Sequence, residues 1–137
     1  MLDAAYNDLH DVNADGYEHG TIGYPDGDGY QSEQMPAKRQ GEINWSGRGG
    51  AAYLAHTHGN GKFWYDNYFS RHDTNAANTT NLPVFTSNGR GEFRVFLPGM
   101  STGGKIRSGP DSGSSRELMR GQSGGILLCS DCMPTRK

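Results

Sequence analysis

The sequence has few of the residues that build a large apolar core. Hydrophobic residues make up 33% of its 137 residues, a low share for a globular domain, whereas glycine alone occurs 21 times. The length fits one domain of ordinary size. We therefore expect one domain with a small core and long loops.

Long apolar runs, a basic surplus and a leader pattern are also missing. No run approaches the roughly 20 apolar residues of a membrane-spanning helix, so no membrane segment is expected. The formal charge of −2 comes without the basic stripe that marks nucleic-acid binding, so no nucleic-acid partner is expected. Residues 1–5 lack the basic and apolar regions of a secretory signal peptide. These absences favour a cytoplasmic protein or a segment of a larger one.

Cysteine occurs only twice, as the Cys-x-x-Cys pair Cys129 and Cys132. Because no second pair exists, a four-thiolate zinc site is excluded. Half of a zinc knuckle, a redox pair, a disulfide and two incidental thiols all stay open.

Hydrophobic periodicity predicts helices and strands in alternation along the chain. The predicted helices span residues 2–9 and begin again at residue 70, with one further helical turn at 115–120. The predicted strands span residues 17–24, 41–45, 51–56, 82–86, 92–97 and 125–129. Residues 25–29 are predicted to form a turn, 31–40 a loop, and 87–91 a hairpin connection.

One stretch concentrates metal-binding chemistry. His56 and His58 end a short strand, and residues two apart on a strand point the same way. Ser70 is a good N-cap, which places Asp73 in the first turn of the next helix. We therefore predict that His56, His58 and Asp73 hold one divalent metal, most simply Zn²⁺. Three protein ligands with a fourth position for water are typical of a catalytic zinc site.

The same residues also have ordinary structural interpretations. Ser70 and Asp73 have the types and spacing that a helix cap needs. His56 and His58 would then be polar residues at a strand end, hydrogen-bonded to loops. The cap and the metal site are compatible, because a cap can orient a ligand.

With these residues in view, the chain resembles a known motif. His56-Thr57-His58, then Ser70-x-x-Asp73, with an upstream Glu18 on a strand, resembles the JAB/JAMM (MPN) metallopeptidase motif. More narrowly, it resembles an uncharacterised JAB-like family found at the C-terminal ends of bacterial Rhs-type polymorphic toxins. Supporting stretches run through the first hundred residues: Ala4-Ala5, Glu18-His19-Gly20, Pro83-Val84-Phe85, and Phe93 to Gly99.

The resemblance implies a fold, and it covers only about the first hundred residues. The implied fold is α+β, a loop-rich JAB/MPN-like domain related to the cytidine-deaminase-like architecture, with a mixed central sheet flanked by helices. Residues 1–100 would form the metal-binding core. Residues 101–137 would form a Gly/Ser-rich extension that either joins the same domain or follows it.

The resemblance also implies roles for single residues. His56, His58 and Asp73 would ligate zinc, Glu18 would act as general base and then as proton donor, and Ser70 would stabilise the oxyanion. Glu42, on another predicted strand, is the alternative base. The chain departs from the family pattern in having Gly59 where proline is usual, and in the eleven residues between His58 and Ser70.

The implied function is a zinc-dependent peptidase or isopeptidase, the toxic tip of a larger bacterial effector delivered by a secretion system. Its substrate would be a protein or peptide, and its partner a cognate immunity protein. One alternative is a deaminase-like nucleobase-modifying toxin that uses Cys129 and Cys132 as ligands, although the His-x-Glu signature of such enzymes is absent. The other is a JAB-like binding module without catalysis.

Overall fold

Two helices and six strands form the part of the chain that the computed structural model describes, which comprises residues 1–12, 18–35, 49–57, 71–87, 91–100 and 125–134. The helices are α1 (Leu2–Val12) and α2 (Arg71–Thr80). The strands are β1 (Gly20–Asp26), β2 (Gly29–Gln34), β3 (Tyr53–Thr57), β4 (Val84–Ser87), β5 (Phe93–Phe96) and β6 (Ile126–Cys129).

The strands build a single mixed sheet in the order β2-β1-β3-β4-β5-β6. Only the central pair, β3 and β4, is parallel, and the other four pairs are antiparallel. A parallel pair needs a crossover connection, and α2 lies in that connection between β3 and β4. The predicted α+β class with a mixed sheet is therefore confirmed, whereas the JAB/MPN fold stays a prediction.

Each face of the sheet carries one apolar cluster, because successive strand residues point to opposite faces. The cluster on the α2 side contains Ile22, Leu54, Ala76, Ala77, Val84 and Phe96. The cluster on the α1 side contains Ala5, Leu9, Tyr53, Ala55, Phe85, Phe93, Val95 and Met133. We call these two surfaces the α2 face and the α1 face.

Helix α1 packs on the sheet through the two positions that its helical spacing predicts. Ala5 and Leu9 are fully buried, and they are four residues apart, so they share one side of the helix. Tyr6 stacks edge-on against Phe93, with their ring centroids 5.6 Å apart. The N-terminal helix therefore covers the sheet opposite α2.

The last described segment closes onto the sheet. Strand β6 pairs with β5, and the amides of Cys132 and Met133 both donate to the carbonyl of Gly91 at 3.0 Å. Gly91 has φ of +85°, and a Cβ there would lie 3.0 Å from the Met133 carbonyl oxygen. This close approach requires glycine at position 91. The phenol of Tyr6 donates to the Cys132 carbonyl at 2.7 Å, which ties the segment to α1 as well.

The predicted helices at residues 2–9 and from residue 70 match α1 and α2, and five predicted strands match β1, β3, β4, β5 and β6 within a few residues. The loop predicted at 31–40 is wrong over residues 31–34, which belong to β2. Strand β2 is a mostly exposed edge strand, so it lacks the apolar alternation that identifies strands. The turn predicted at 25–29 shrinks to residues 27–28 between β1 and β2. The predicted strand 41–45 and helical turn 115–120 lie outside the described residues.

Neither described helix is long and apolar enough to cross a membrane.

Candidate metal centre

Two of the predicted ligands meet on the α2 face. The Nε2 atom of His56 lies 3.0 Å from the Oδ1 atom of Asp73. Both side chains are almost completely buried, with 2% and 6% of their surfaces exposed. Buried charge is costly unless it is paired, so this imidazole and carboxylate are held as a unit. His58 and Ser70 lie outside the described residues.

The position of His56 follows from the burial of β3. All five residues of β3 are buried in the centre of the sheet, between β1 and β4. His56 pairs with Gly20 of β1 on one side and with Thr86 of β4 on the other. It stands two residues after Leu54, which belongs to the apolar cluster of the α2 face. Alternation therefore turns its imidazole toward α2.

The position of Asp73 follows from the packing of α2. Ala76 and Ala77 anchor the helix in the α2-face cluster, and their small side chains allow close approach to the sheet. The backbone amide of Gly99 donates to Asn78 Oδ1 at 2.8 Å, which fixes the helix against the segment after β5. Asp73 lies in the first turn, where the helix dipole stabilises a carboxylate.

The separation of His56 and Asp73 suits two chemical states. Without a metal, it is the distance of an ion pair formed when the imidazole is protonated. It is also close to the separation of about 3.3 Å between two ligands placed tetrahedrally around zinc with bonds of about 2.0–2.1 Å. One nitrogen and one oxygen ligand are types that zinc accepts. The pair thus fits a zinc site, provided that a third ligand joins it.

Within the described ranges, no group of three or more His, Cys, Asp or Glu side chains is placed to hold a metal. The predicted third ligand is His58, two residues after His56 in the sequence. The structure therefore brings together His56 and Asp73, while the complete ligand set stays a prediction.

Glu18 lies at the same end of the sheet. It forms an isolated bridge just before β1 and is half-buried. The backbone around it is tied to the end of β3, since the amide of His19 donates to Thr57 Oγ1 at 2.9 Å and the Thr57 amide donates to the His19 carbonyl at 2.8 Å. Alternation from Gly20, the pairing partner of His56, places Glu18 on the α2 face. The alternative base, Glu42, lies outside the described residues.

A change from apolar to polar residues marks this end of the α2 face. One cross-strand row is apolar and consists of Ile22, Leu54, Val84 and Phe96. The next row consists of Gly20, His56, Thr86 and Arg94. We call this second set the polar row. The α2 face thus carries its polar chemistry at one edge of its core.

Arg94 was not singled out from the sequence. Its guanidinium Nη2 lies 3.3 Å from Glu92 Oε2, with 18% and 22% of the two side chains exposed. A usable signal exists, because Phe93 and Val95 flank Arg94 in the predicted strand 92–97, and alternation puts Arg94 on the face opposite theirs. Arg94 and His56 lie on the same face because of the way β3 pairs with β4. The sequence does not show that pairing.

A second polar cluster supports the site from the α1 face. The phenol of Tyr53 donates to Asp8 Oδ2 at 2.6 Å, and Ser32 Oγ donates to the same oxygen at 2.7 Å. Burial, and then the hydrogen bond to Asp8, raises the pKa of Tyr53 well above its usual value. These contacts join α1, β2 and β3, so they hold the strand that carries His56. This cluster was not predicted from the sequence.

The cysteine pair lies away from the candidate metal centre. Cys129 and Cys132 form a disulfide at the end of β6. Both pack against the cluster of the α1 face, whereas His56 and Asp73 lie on the α2 face. The sheet therefore separates the two sulfurs from the imidazole–carboxylate pair.

Comparison of the chain with protein-family models, with curated proteins and with solved structures finds no match.

Proposed function

We propose that this chain is a zinc-dependent peptidase or isopeptidase of the JAB/JAMM type, in which an activated water attacks an amide. The observation that supports it most is the buried contact of His56 with Asp73 at 3.0 Å. They match two of the three ligands that the motif requires, and they come from two different elements, the end of β3 and the start of α2. An ordinary helix cap gives no reason for a histidine to lie at that carboxylate.

His56, Asp73 and His58 would hold the ion. When bound, zinc supplies Lewis acidity, which lowers the pKa of a water to about 7 and polarises a carbonyl. Strands β1 and β4 hold His56 in place, and the packing of α2 holds Asp73. Both ligands are therefore fixed before the ion binds. A preorganised ligand pair reduces the cost of assembling the site.

Proton transfer falls to Glu18. Its carboxylate accepts the proton of the attacking water and passes it to the leaving amine. Its location before Gly20, on the face of His56, supports this role over that of an ordinary strand carboxylate. Ser70, directly before α2 in the sequence, donates its hydroxyl hydrogen to the developing oxyanion.

The biological setting follows from the resemblance to the toxin-associated JAB-like family. We propose a protein or peptide substrate, a role as the toxic tip of a larger bacterial effector delivered by a secretion system, and a cognate immunity protein as partner. The deaminase alternative gains no support, because Cys129 and Cys132 lie on the opposite side of the sheet from His56.

Metal content and cleavage together test the proposal. Purified wild-type protein should carry stoichiometric zinc by elemental analysis, and His56→Ala and His58→Ala should lose it. His10→Ala, at an exposed histidine on α1, is the matched control and should retain the metal. Glu18→Gln should retain zinc and lose cleavage of a denatured protein substrate.

Two results would contradict the proposal in different ways. If the wild type lacks stoichiometric zinc and His58→Ala has unchanged properties, the proposed metal site is refuted. If the protein retains zinc but no cleavage depends on Glu18, the chain is a metal-binding module without catalysis.

A further inference from the structure

We propose that Arg94 is the substrate-recognition residue of this site and that it binds a carboxylate of the substrate close to the bond that is cleaved. The carboxylate is that of an Asp or Glu side chain, or the C-terminal carboxylate of a peptide. This inference rests on the proposed function, since it assigns the substrate class of the same site.

The sheet register places Arg94 beside the candidate metal centre. Thr86 pairs with His56 on one side and with Arg94 on the other, so the three residues lie in one row. Neighbouring strands are about 4.8 Å apart, which puts the Arg94 backbone roughly 10 Å from that of His56. An extended peptide advances about 3.3 Å per residue, so a group held by Arg94 is within about three residues of a carbonyl held near His56.

The environment of Arg94 favours an anion. One row away the same face is apolar, and the Arg94 side chain is itself only 18% exposed. A guanidinium in such a place is costly unless anions and acceptors surround it. Among the described residues its carboxylate contact is a single one, from Nη2 to Glu92 Oε2 at 3.3 Å.

The guanidinium has donors beyond that contact. It carries five N–H groups in a planar fork. Its Nε is buried and has no hydrogen-bond acceptor within the described part of the chain. An arginine that served only to hold Glu92 would form two parallel N–H···O hydrogen bonds with that carboxylate, as bidentate pairs do. The one-point contact instead leaves the fork able to take a second carboxylate.

Glu92 then acts as the resting counter-ion. It balances the charge of Arg94 when no substrate is bound, and it competes for the guanidinium when an acidic substrate arrives. The two residues therefore have opposite predicted effects. Loss of Arg94 weakens binding of acidic substrates, whereas neutralisation of Glu92 strengthens it.

Matched peptides test this assignment. A set of fluorogenic peptides would carry Glu or Gln at each of the three positions on either side of the cleaved bond, with free or amidated C-termini. The wild type should prefer Glu over Gln at one position, or the free over the amidated terminus, by about 10- to 100-fold in KM, the range for a hydrogen bond to a charged group. Arg94→Gln should lose that preference, so that its KM for the acidic peptide rises to that for the neutral one. Glu92→Gln should increase the preference.

Arg94→Lys is the control that distinguishes a loss of binding from a loss of the fold. It keeps the charge and the aliphatic stem but lacks the planar fork, so it should fold and retain only a small part of the preference. A wild type without preference for either carboxylate overturns the assignment. So does a preference that persists unchanged in both Arg94 variants.

A binding measurement separates this inference from the proposed function. The same peptides, labelled with a fluorophore, are titrated by anisotropy into Glu18→Gln protein and into Glu18→Gln combined with Arg94→Gln. If the wild type cleaves nothing, the peptidase proposal fails, and the anisotropy data alone decide on Arg94. Selective binding of the acidic peptide that disappears with Arg94→Gln supports the inference, and equal binding of acidic and neutral peptides refutes it.

Discussion

Zinc should stabilise the folded chain by an amount that can be calculated. The proposed ligands His56 and Asp73 come from β3 and α2, which are brought together only by folding, so the unfolded chain lacks the preformed site. Ligand at 100 times its dissociation constant then adds about 2.7 kcal/mol to the free energy of unfolding. For a chain of this length, each kcal/mol raises Tm by about 3–6 °C. We therefore expect zinc to raise the Tm of metal-free protein by roughly 8–16 °C.

Asp73→Asn is the decisive perturbation, because it keeps the shape of the side chain and removes its charge. Without zinc, the buried imidazole of His56 loses its carboxylate, which should lower the free energy of unfolding by about 1–3 kcal/mol. With zinc, an amide is a much poorer ligand than a carboxylate, so the rise in Tm should fall to a few degrees.

Asp8→Asn is the matched control. Like Asp73, Asp8 is a carboxylate in polar contact with another element; it is half-buried, accepts two hydrogen bonds and lies on the α1 face. Its substitution should lower the Tm of the metal-free protein and leave the zinc-induced rise intact. The assay is a thermal melt of chelator-treated protein across a zinc titration. The reasoning is refuted if the wild type shows no rise, or if Asp73→Asn retains the full rise.

Three further predictions concern the scaffold. Gly23→Ala should destabilise the fold by about 1–3 kcal/mol in a denaturant titration, because a Cβ at Gly23 would overlap the Tyr53 ring. The control is Gly49→Ala, where a Cβ would meet nothing within 4 Å, and it should change the free energy of unfolding by less than about 0.5 kcal/mol. The raised pKa of Tyr53 means that the folded state holds this proton more tightly, so its contribution is complete below about pH 10 and is lost as the pH rises above it. Melts from pH 8 to 11 should therefore fall more steeply for the wild type than for Tyr53→Phe, and equal slopes would contradict this. Cys129→Ser should leave the zinc content unchanged, since the disulfide packs on the α1 face, and a loss of zinc would place the thiols in the metal site.

Local patterns predicted the elements that present the site. The apolar run before His56 identified β3, and helix-start signals at Ser70 and Asp73 identified α2. Both signals arise from interactions within a few residues, which a single sequence contains. The contact of His56 with Asp73 was a hypothesis about a shared metal, and it depends on the packing of α2 against the sheet, which no local pattern sets.

Features that depend on long-range pairing were not predicted. The parallel pairing of β3 with β4 places Thr86 between His56 and Arg94, and no local pattern sets that register. Strand β2 was missed because its mostly polar residues are stabilised by pairing with β1 rather than by burial. The hydrogen bonds of Tyr53 and Ser32 to Asp8 join residues that are far apart in the chain.

Because α2 is anchored on the sheet, the position of Asp73 does not depend on the length of the connection that precedes the helix. Ala76 and Ala77 set where the helix lies, and the end of β3 is set by its neighbours in the sheet. The end of β3 and the start of α2 therefore keep a fixed separation, and doubling the length of a flexible connection between two fixed ends costs only about 0.6 kcal/mol in closure entropy. Insertions in the connection from β3 to α2 should therefore leave the contact of His56 with Asp73 intact.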